Sequence, residues 1–269
     1  MNRKVVLITG GSSGIGKAIG IYLKEQGYTV YGTTRNTLKY PDFNHFTLLP
    51  LDVKDVSSIK EAVQTIVTKE GQLDVLVNNA GVGITGPVEE TPHSEILNAF
   101  DTNFHGPLHV IKEVLPTMRK QGNGLIINVT SIAGYMGLPY RGIYSATKGA
   151  LELITEALRM EVKDFGIQMT NVAPGDFATN IAAGRFHSPI LEKSPYIKPY
   201  QKTLDTINEH VDAGKDPILV AKVIHKIILT PKPKVHYKVG EFMQKTSLVL
   251  KKILPDKVYE KLLINHYKL

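Results

Sequence analysis

Short apolar runs alternate with helix-patterned segments along most of this chain, and the alternation limits the folds that it can adopt. Each run has the length and the Val, Ile and Leu content of a buried strand. Strands that alternate with helices form a parallel sheet covered by helices on both faces. The sequence therefore predicts an α/β fold with a doubly wound parallel sheet. No linker or repeat interrupts the pattern, so we expect one domain over residues 1–269. The predicted strands are residues 4–9, 28–33, 45–51, 73–78, 124–131, 167–173 and 235–239.

The composition is that of a globular protein. Hydrophobic residues make up 42% of the chain and charged residues 21%, which is enough for a sizeable core. Cys is absent, so disulfide and thiolate chemistry are excluded. The first apolar run, from Val5 to Ile8, is too short for a signal-peptide core or a membrane span. We therefore expect a soluble, cytoplasmic protein.

Positive charge is concentrated at the C-terminus. The chain has a formal charge of +7, of which +6 lies in residues 231–269 and +1 in the rest. Basic residues do not cluster with aromatic platforms, and no known DNA-reading helix is recognisable, so no nucleic-acid partner is expected. His187, His210, His225 and His236 do not pair at i, i+4 spacing. We interpret them as structural or surface residues and expect no metal site.

A glycine-rich turn follows the first predicted strand. Gly10, Gly14 and Gly16 stand between that strand and a helix pattern through Ile19 and Leu23. Such a turn points backbone N–H groups and a helix N-terminus at a phosphate, and it lets a pyrophosphate approach closely. Glycines alone could also form an ordinary tight turn. The second predicted strand completes a βαβ unit, which favours a dinucleotide site.

The end of the second predicted strand bears on the choice of cofactor. An acidic residue about 20 positions past the glycines would bind the ribose 2′-hydroxyl of NAD. This chain has Thr34 and Arg35 there. A guanidinium suits a 2′-phosphate, so the sequence favours NADP over NAD. The alternative is that Arg35 is only a solvated loop residue.

Small or polar residues end the predicted strands. Ligands bind beyond the carboxyl ends of parallel strands, so we expect these residues to border one cleft. Asp52 could reach an adenine there or only stabilise a turn. The residues are Thr9, Gly10, Arg35, Asp52, Asn78, Asn79, Ala80, Gly81, Ser131, Pro174 and Gly175.

Tyr144 and Lys148 stand four residues apart at the start of a long helix pattern. This spacing places the phenol and the ammonium on one face of the helix. A nearby cation favours the phenolate, which makes the phenol a usable proton donor or acceptor at neutral pH.

Another helix pattern begins at Thr91-Pro92, which suit an N-cap and a first helical position. It runs toward Met118, and we expect Gly106-Pro107 to disturb it midway. Asn103 lies just before the disturbance. Its side chain could turn into a cleft or serve as a buried structural amide.

Together these residues resemble the short-chain dehydrogenase/reductase family. The resemblance covers residues 3–240 and implies a Rossmann-type fold, a nicotinamide-dependent alcohol or carbonyl oxidoreductase, and a homodimer or homotetramer. The motifs that carry it are Thr9-Gly10-x-x-x-Gly14-Ile15-Gly16, Asn78-Asn79-Ala80-Gly81, Asn103, Ser131, Tyr144-x-x-x-Lys148 and Pro174-Gly175-x-x-x-Thr179.

The resemblance implies a catalytic tetrad of Asn103, Ser131, Tyr144 and Lys148. Ser131 would hold the substrate oxygen, or it could merely cap a helix. Tyr144 would donate or accept the proton, and Lys148 would lower the pKa of Tyr144 and bind the nicotinamide ribose. Asn103 would hold a water that links Lys148 to solvent. The implied cofactor-binding residues are Gly10, Ser12, Ser13, Gly14, Ile15, Gly16, Thr34, Arg35, Asp52, Val53, Asn79, Ala80, Gly81, Tyr144, Lys148, Pro174, Gly175 and Thr179.

Residues 176–216 break the βα rhythm beside the active-site end of the sheet. A long apolar segment in this place suggests a lid that closes over substrate, or else an ordinary packed loop. The segment is rich in apolar residues, and so is the stretch between Ser131 and Tyr144. We therefore expect a hydrophobic substrate. The apolar residues of that stretch are Tyr135, Met136, Leu138 and Tyr140.

Residues 240–269 form a basic tail with two amphipathic helix patterns, the second of which begins at Pro255-Asp256. Such a tail could pack on its own domain, cap the substrate pocket or rest on an anionic membrane. The apolar face of the first pattern is predicted to hold Phe242, Met243, Thr246, Val249, Leu250, Ile253 and Leu254.

The leading hypothesis is an NADPH-dependent oxidoreductase that interconverts a lipophilic alcohol and a ketone or aldehyde. A second hypothesis is a reductase of a carrier-bound 3-oxoacyl group, with the basic surface receiving an acidic carrier protein. A third is a non-catalytic nucleotide sensor on the same fold.

Overall fold

The computed structural model describes residues 3–177, 184–212 and 214–269. Seven parallel strands form the central sheet, and a separate pair of two-residue strands, β5 and β8, lies outside it. The strands are β1 (Val5–Ile8), β2 (Thr29–Thr34), β3 (Thr47–Pro50), β4 (Val75–Asn78), β5 (Ile84–Thr85), β6 (Gly124–Val129), β7 (Ile167–Pro174), β8 (Phe186–His187) and β9 (His236–Val239). The α-helices are α1 (Gly14–Glu25), α2 (Val56–Glu70), α3 (His93–Phe100), α4 (Gly106–Gln121), α5 (Gly142–Glu161), α6 (Ile197–Asp212), α7 (Ile218–Leu229), α8 (Phe242–Ile253) and α9 (Asp256–His266).

The strand order in the sheet is β3-β2-β1-β4-β6-β7-β9. Neighbouring strands are parallel; Val6 of β1, for example, lies between Val30 of β2 and Val75 of β4. The order changes direction between β1 and β4, and ligands of such sheets bind beside this point, outside the carboxyl ends of the strands. The predicted doubly wound α/β fold is confirmed.

The two faces of the sheet have separate cores. Val6 and Ile8 pack with α1 and α7, whereas Val5 and Leu7 pack with α2 and α4. All four side chains are buried, and each such burial stabilises the fold by roughly 1.5–3 kcal/mol. A slip of one residue would exchange the two sets of side chains between the two cores. Packing therefore fixes where β1 ends and the glycine turn begins.

Of two predicted element boundaries, one was confirmed and one was wrong. The strand that was predicted to stop at Pro174-Gly175 ends at Pro174, which lies opposite Val239. Thr91 does not cap a helix, because its hydroxyl donates a 2.7 Å hydrogen bond to the Pro87 carbonyl. The helix begins at His93, after Pro92.

The expected disturbance near Gly106 is a π-helical turn. Residues Asp101–His105 join α3 to α4 without ending the helix. Single π turns often mark functional positions, since they re-aim the side chains that they carry. Asn103 lies in this turn and is fully buried.

Residues 184–212 contact the segment that follows β4. β8 pairs with β5 in parallel. Tyr200 of α6 is buried, and its hydroxyl donates to the Thr85 carbonyl at 3.1 Å. Thr179 and Ile181 lie outside the described residues.

The C-terminal helices pack on the domain through one face. Leu248 of α8 and Tyr259 of α9 are buried in a small cluster with Ile132, Met136 and Ala173. Because Ile132 and Ala173 lie at the carboxyl end of the sheet, the tail covers the edge where ligands bind. No described helix is long and apolar enough to cross a membrane.

Most of the predicted apolar face of α8 does not pack on the domain. Leu250 and Leu254 are partly buried against the small cluster, but Phe242, Met243, Val249 and Ile253 are exposed. The buried Leu248 is not one of the predicted residues, so amphipathic spacing alone could not tell which side the domain would cover.

The apolar residues between Ser131 and Tyr144 also differ from expectation. Tyr135, Met136 and Leu138 pack beneath the tail. Tyr140 packs against Tyr200, with ring centroids 5.2 Å apart.

Candidate active site

Tyr144 and Lys148 lie on the first turns of α5, as their spacing predicted. Lys148 is buried, and its Nζ donates to the Val129 carbonyl at 3.1 Å. Burial lowers the pKa of Lys148, and the neighbouring Tyr144 and then Glu152 act in the opposite direction. A buried ammonium beside a phenol stabilises the phenolate, because little solvent screens the two charges.

Ser131 lies at the end of β6, before a short 3₁₀ turn at Ile132–Tyr135. Its hydroxyl oxygen accepts a hydrogen bond from the Ala133 N–H at 3.2 Å, so the serine does cap this turn. Capping uses the oxygen as an acceptor and leaves the O–H free to donate. The structural and the catalytic interpretations of Ser131 are therefore compatible.

The Asn103 side chain is held by backbone and hydroxyl groups. Its Oδ1 accepts from the Val82 N–H at 2.8 Å, and its Nδ2 donates to the Val82 carbonyl at 2.9 Å and to Thr147 Oγ1 at 3.1 Å. A Cβ on Gly81 would stand 3.1 Å from Asn103 Oδ1 and 3.3 Å from Lys148 Nζ. Asn103 thus fixes the chain after β4 and lies behind Gly81, near the buried ammonium.

A cleft of about 80 Å³, here called the small cleft, brings the predicted residues together. Asn103 does not line it. Pro174 and Gly175 do, together with two arginines and a carboxylate that sequence reasoning missed. The lining includes Ser131, Tyr144, Lys148, Arg141, Arg185 and Asp176.

The glycine turn borders a second cleft of about 330 Å³, here called the large cleft. A Cβ on Gly16 would lie 2.2 Å from the Gly10 carbonyl oxygen, and Gly10 has φ +66°. Both positions require glycine, because any side chain would push the turn away from α1. Thr9 Oγ1 accepts hydrogen bonds from the N–H groups of Asn79 and Ala80, each at 3.0 Å, so the turns after β1 and β4 form one unit.

The predicted ribose and adenine contacts lie along the large cleft. Thr34, Arg35, Asp52 and Val53 line it, with Ser12, Ser13, Gly14 and Ile15 at the turn; Tyr40 was not predicted. Asp52 Oδ1 accepts from the Lys54 N–H at 3.0 Å, so this carboxylate has the turn role left open by the sequence. A glycine cradle, a helix N-terminus and an exposed guanidinium fit a phosphorylated dinucleotide.

A buried carboxylate that sequence reasoning missed lies one turn beyond Lys148. Glu152 accepts hydrogen bonds from the Tyr135 hydroxyl and from Asn171 Nδ2, both at 2.8 Å, and Thr130 also donates to it. His236 Nδ1 lies 2.8 Å from the same carboxylate. Burial, followed by Glu152, raises the pKa of Tyr135. The signal was available, because Glu152 stands at i+4 from Lys148.

The structure offers no group of metal ligands among the residues that it describes. His105 and His109 stand four residues apart, a spacing that the sequence argument overlooked. His105 Nδ1 is already within 3.0 Å of Asp101 Oδ1.

The sequence motifs, the sheet and the two clefts agree with one family model, that of the short chain dehydrogenases, which matches residues 4–189. The chain belongs to the short-chain dehydrogenase/reductase family. The expected resemblance is confirmed, and members of this family are oxidoreductases.

Similar proteins support this membership along the whole chain. A 3-ketodihydrosphingosine reductase of Bacteroides thetaiotaomicron is 38% identical, over 97% of this chain and 96% of its own. A short-chain dehydrogenase of Streptomyces avermitilis superposes with a TM-score of 0.82 at 31% identity, over 100% of this chain and 97% of its own. The structure of ElxO with NADP bound has a TM-score of 0.71 at 29% identity, over 88% of this chain and 96% of its own.

Proposed function

We propose that the protein reduces a ketone or aldehyde group of a lipid-like substrate with NADPH. The observation that carries the proposal is the small cleft, where Ser131, Tyr144 and Lys148 meet at the end of the large cleft. Gly81 and Ile15 line both clefts, so a dinucleotide in the large one would reach the reacting groups. The reactants would then be held in contact, which is the main contribution of a protein to such chemistry.

Each residue of the small cleft has one task in this mechanism. A nicotinamide held here would supply the hydride. The Ser131 hydroxyl donates to the carbonyl oxygen of the substrate and holds it beside the phenol. Tyr144 gives its proton to that oxygen, and the Lys148 ammonium stabilises the phenolate that remains. Glu152 favours the charged form of Lys148 across one helical turn.

Return of the proton to Tyr144 needs a path to solvent. We propose that Asn103 positions the backbone of Val82 and Gly81 so that a water can reach Lys148. This role differs from that of a side chain that itself binds the water, since three hydrogen bonds of Asn103 go to Val82 and Thr147.

The cofactor proposal rests on Arg35, which directly follows β2 at the rim of the large cleft. Its guanidinium would pair with a 2′-phosphate, and no acidic residue stands at that position to bind a 2′-hydroxyl. Separate titrations with NADPH and NADH, followed by nicotinamide fluorescence, test this. Tighter binding of NADPH supports the proposal, and tighter binding of NADH contradicts it.

The lipid-like substrate is supported by the similar reductase, whose name gives a ketone of a sphingoid base. Purified protein should oxidise NADPH in the presence of aliphatic ketones and should show a rising kcat/KM as the chain lengthens. Equal rates with acetone and with long ketones would contradict a lipophilic site. We also propose that residues 176–216 form the lid over such a substrate.

We further propose that the tail rests on an anionic lipid surface. Its outer side exposes Phe242 (79%) and Ile253 (68%), and its inner side packs on the domain. Lys245 and Lys252 stand between these apolar residues, an arrangement that suits the headgroup region of a membrane.

Co-sedimentation with vesicles of phosphatidylglycerol and phosphatidylcholine tests the tail. Binding should fall in Ile253→Ser and remain in Leu38→Ser, which removes an apolar side chain that is 87% exposed outside the tail. Equal binding of both variants, or binding to neutral vesicles alone, would contradict the proposal.

We propose a homo-oligomer as well. Leu153 (68% exposed) and Met160 (67% exposed) lie on α5 and are large apolar side chains without cover. Light scattering during gel filtration should give a dimer or tetramer mass, and Met160→Glu should lower it.

A further inference from the structure

Arg185 is a buried cation that lacks a hydrogen-bond or salt-bridge partner in the described part of the chain. The residue is 9% exposed, and its Nη1 is buried without a hydrogen bond. Leaving such a group unpaired destabilises the fold, and more so when the group is charged. An arginine in this state is stabilised by any acceptor that enters the cleft.

The backbone beside β4 holds the Arg185 side chain in place. A Cβ on Gly83 would stand 3.0 Å from Arg185 Cγ and 3.3 Å from its Nε, so the stem lies directly on this glycine. The arginine follows Gly184 and precedes β8, which is anchored to β5. Its position is therefore set by strand pairing and by close contact with Gly83.

A second guanidinium lines the same small cleft. Arg141 Cζ lies 5.5 Å from the centre of the Tyr144 ring. Burial, and then the charge of Arg141, lower the pKa of Arg185. Two positive charges repel each other strongly where little solvent screens them. One anion bound between them stabilises both.

The carboxylate of the small cleft favours the charged form of Arg185 but does not pair with either arginine. Asp176 Oδ2 accepts a 2.7 Å hydrogen bond from Gln244 Nε2 of α8. Among the described residues, neither Arg141 nor Arg185 forms a salt bridge with it or with another acid. With Lys148, the small cleft holds three cations and one carboxylate.

We propose that Arg185, with Arg141, binds an anionic group of the substrate, a carboxylate or a phosphate, while the carbonyl of the same molecule lies at Tyr144. The inference rests on the proposed function and narrows its substrate class from lipophilic carbonyls to amphipathic oxo acids or phosphate esters. A guanidinium binds either anion through paired N–H donors.

The phosphates of the cofactor are the other source of negative charge. They belong beside the glycine turn, in the large cleft, and Arg185 does not line that cleft although Gly184 does. Arg185 lies instead with Ser131 and Tyr144. This placement favours the substrate as the source of the anion.

Matched substrates test the proposal. We would compare 7-oxooctanoate with 2-octanone, which share chain length and carbonyl position, and 8-amino-2-octanone, which carries the opposite charge. Wild-type kcat/KM should be at least about 10-fold higher for the oxo acid than for the ketone. In Arg185→Gln this ratio should fall about 10-fold or more, and in Arg119→Gln, on the exposed end of α4, it should stay the same. A preference for the amino ketone, or a ratio unchanged in Arg185→Gln, would overturn the proposal.

Inhibition of turnover separates the possible sources of the anion. Octanoate should compete with the carbonyl substrate and not with NADPH, and octanamide and inorganic phosphate should inhibit at least about 10-fold more weakly. Competition with NADPH, or a raised KM for NADPH in Arg185→Gln, would assign Arg185 to the cofactor and end the proposal.

If no carbonyl is turned over, the proposed function has failed, and calorimetry of octanoate binding to the NADP-loaded protein still decides the anion site. Binding that Arg185→Lys keeps and Arg185→Gln loses supports the site, and binding equal in both variants overturns it. Thermal unfolding of each variant shows whether it is folded.

Discussion

Two regions of this protein position their residues in different ways. In the frame, residues 3–177 with α7 and β9, the reactive groups follow β6 or lie on α5, and the sheet with its two cores decides where each group lies. In the cover, residues 184–212 and 240–269, Arg185 lines the small cleft and Gln244 contacts its carboxylate, both from elements that the sheet does not place. The sheet brings the functional residues of the frame to one edge, whereas individual contacts position those of the cover.

The difference shows that one fold can hold some residues firmly and others less firmly. A parallel sheet with two cores tolerates little change of register, and this keeps the glycine turn, Ser131 and Tyr144 in fixed relation. The cover packs through a small cluster and leaves apolar side chains exposed. We therefore expect changes to the reactive groups of the frame to lower turnover most and changes in the cover to alter the choice of substrate.

The largest effect is expected for Tyr144→Phe. Without the phenolic proton donor, kcat should fall by at least about 100-fold while NADPH binding and the melting temperature stay near those of the wild type. Tyr140→Phe is the control, since it removes another hydroxyl near the start of α5 that does not line the small cleft. Steady-state reduction of a ketone with both variants makes the comparison, and near-full activity in Tyr144→Phe would show that the frame does not carry the chemistry.

The next largest effect is expected for Arg35→Ser. Loss of a charge-assisted contact to a 2′-phosphate should raise the KM for NADPH by about 10- to 100-fold and leave that for NADH within about 2-fold. Lys39→Ser removes an equal charge nearby, outside the large cleft, and should change neither. Equal changes for the two cofactors would mean that Arg35 acts only through the general charge of the rim.

A smaller effect is expected in the cover, for Tyr267→Phe. Burial raises the pKa of Tyr267, and the charge of Arg141, which hydrogen-bonds the Tyr267 side chain, opposes this. Removing the hydroxyl should free Arg141 and raise the KM for the carbonyl substrate by about 2- to 10-fold, with no change for NADPH. Tyr22→Phe on α1 is the control. A change in kcat alone would mean that Tyr267 affects the chemical step, as the reactive groups of the frame do, and not the binding of substrate.

The smallest effect on turnover is expected for Tyr31→Phe, which tests frame stability. Burial, with help from the Glu70 hydrogen bond at 2.5 Å, raises the pKa of Tyr31 from 10.0 to about 12. The unfolded chain loses this proton first, so the stabilisation is complete below pH 10 and declines as the pH rises toward 12.

Urea unfolding at pH 7, 10 and 11 measures this decline. Tyr31→Phe should be less stable than the wild type by about 1 kcal/mol at pH 7, and the difference should shrink as the pH rises. A difference that grows with pH would contradict the sign of the argument.

The sequence predicted the frame well for a physical reason. Buried parallel strands are short apolar runs, and their carboxyl ends meet at one edge, so the order of residues along the chain becomes an order in space. Ser131 was placed at that edge in this way, and the i, i+4 spacing placed Tyr144 and Lys148 on one face of α5; all three line the small cleft. Asn103 was found too, but its hydrogen-bond partners depend on the π turn, which no spacing rule reveals.

The cover was predicted less well because its contacts are made between distant segments. Spacing indicated the helices of the tail, yet the buried side of α8 depends on Met136 and Ile132, more than 100 residues earlier. Arg185 carries no sequence signal at all. Its place follows from the pairing of β8 with β5, two strands of two residues each.

The π turn at Asp101–His105 has a consequence for how this protein tolerates insertions and deletions. Removing one residue there would leave a more regular helix, and hydrogen bonding alone would not oppose it. Yet one residue corresponds to about 100° of rotation, so every side chain of α3 would turn by that angle relative to α4. Asn103 would leave Val82 and Thr147, and the chain after β4 would lose its anchor. The irregular turn therefore fixes the rotation of α3 about its axis relative to α4, and the length of this segment matters as much as its composition.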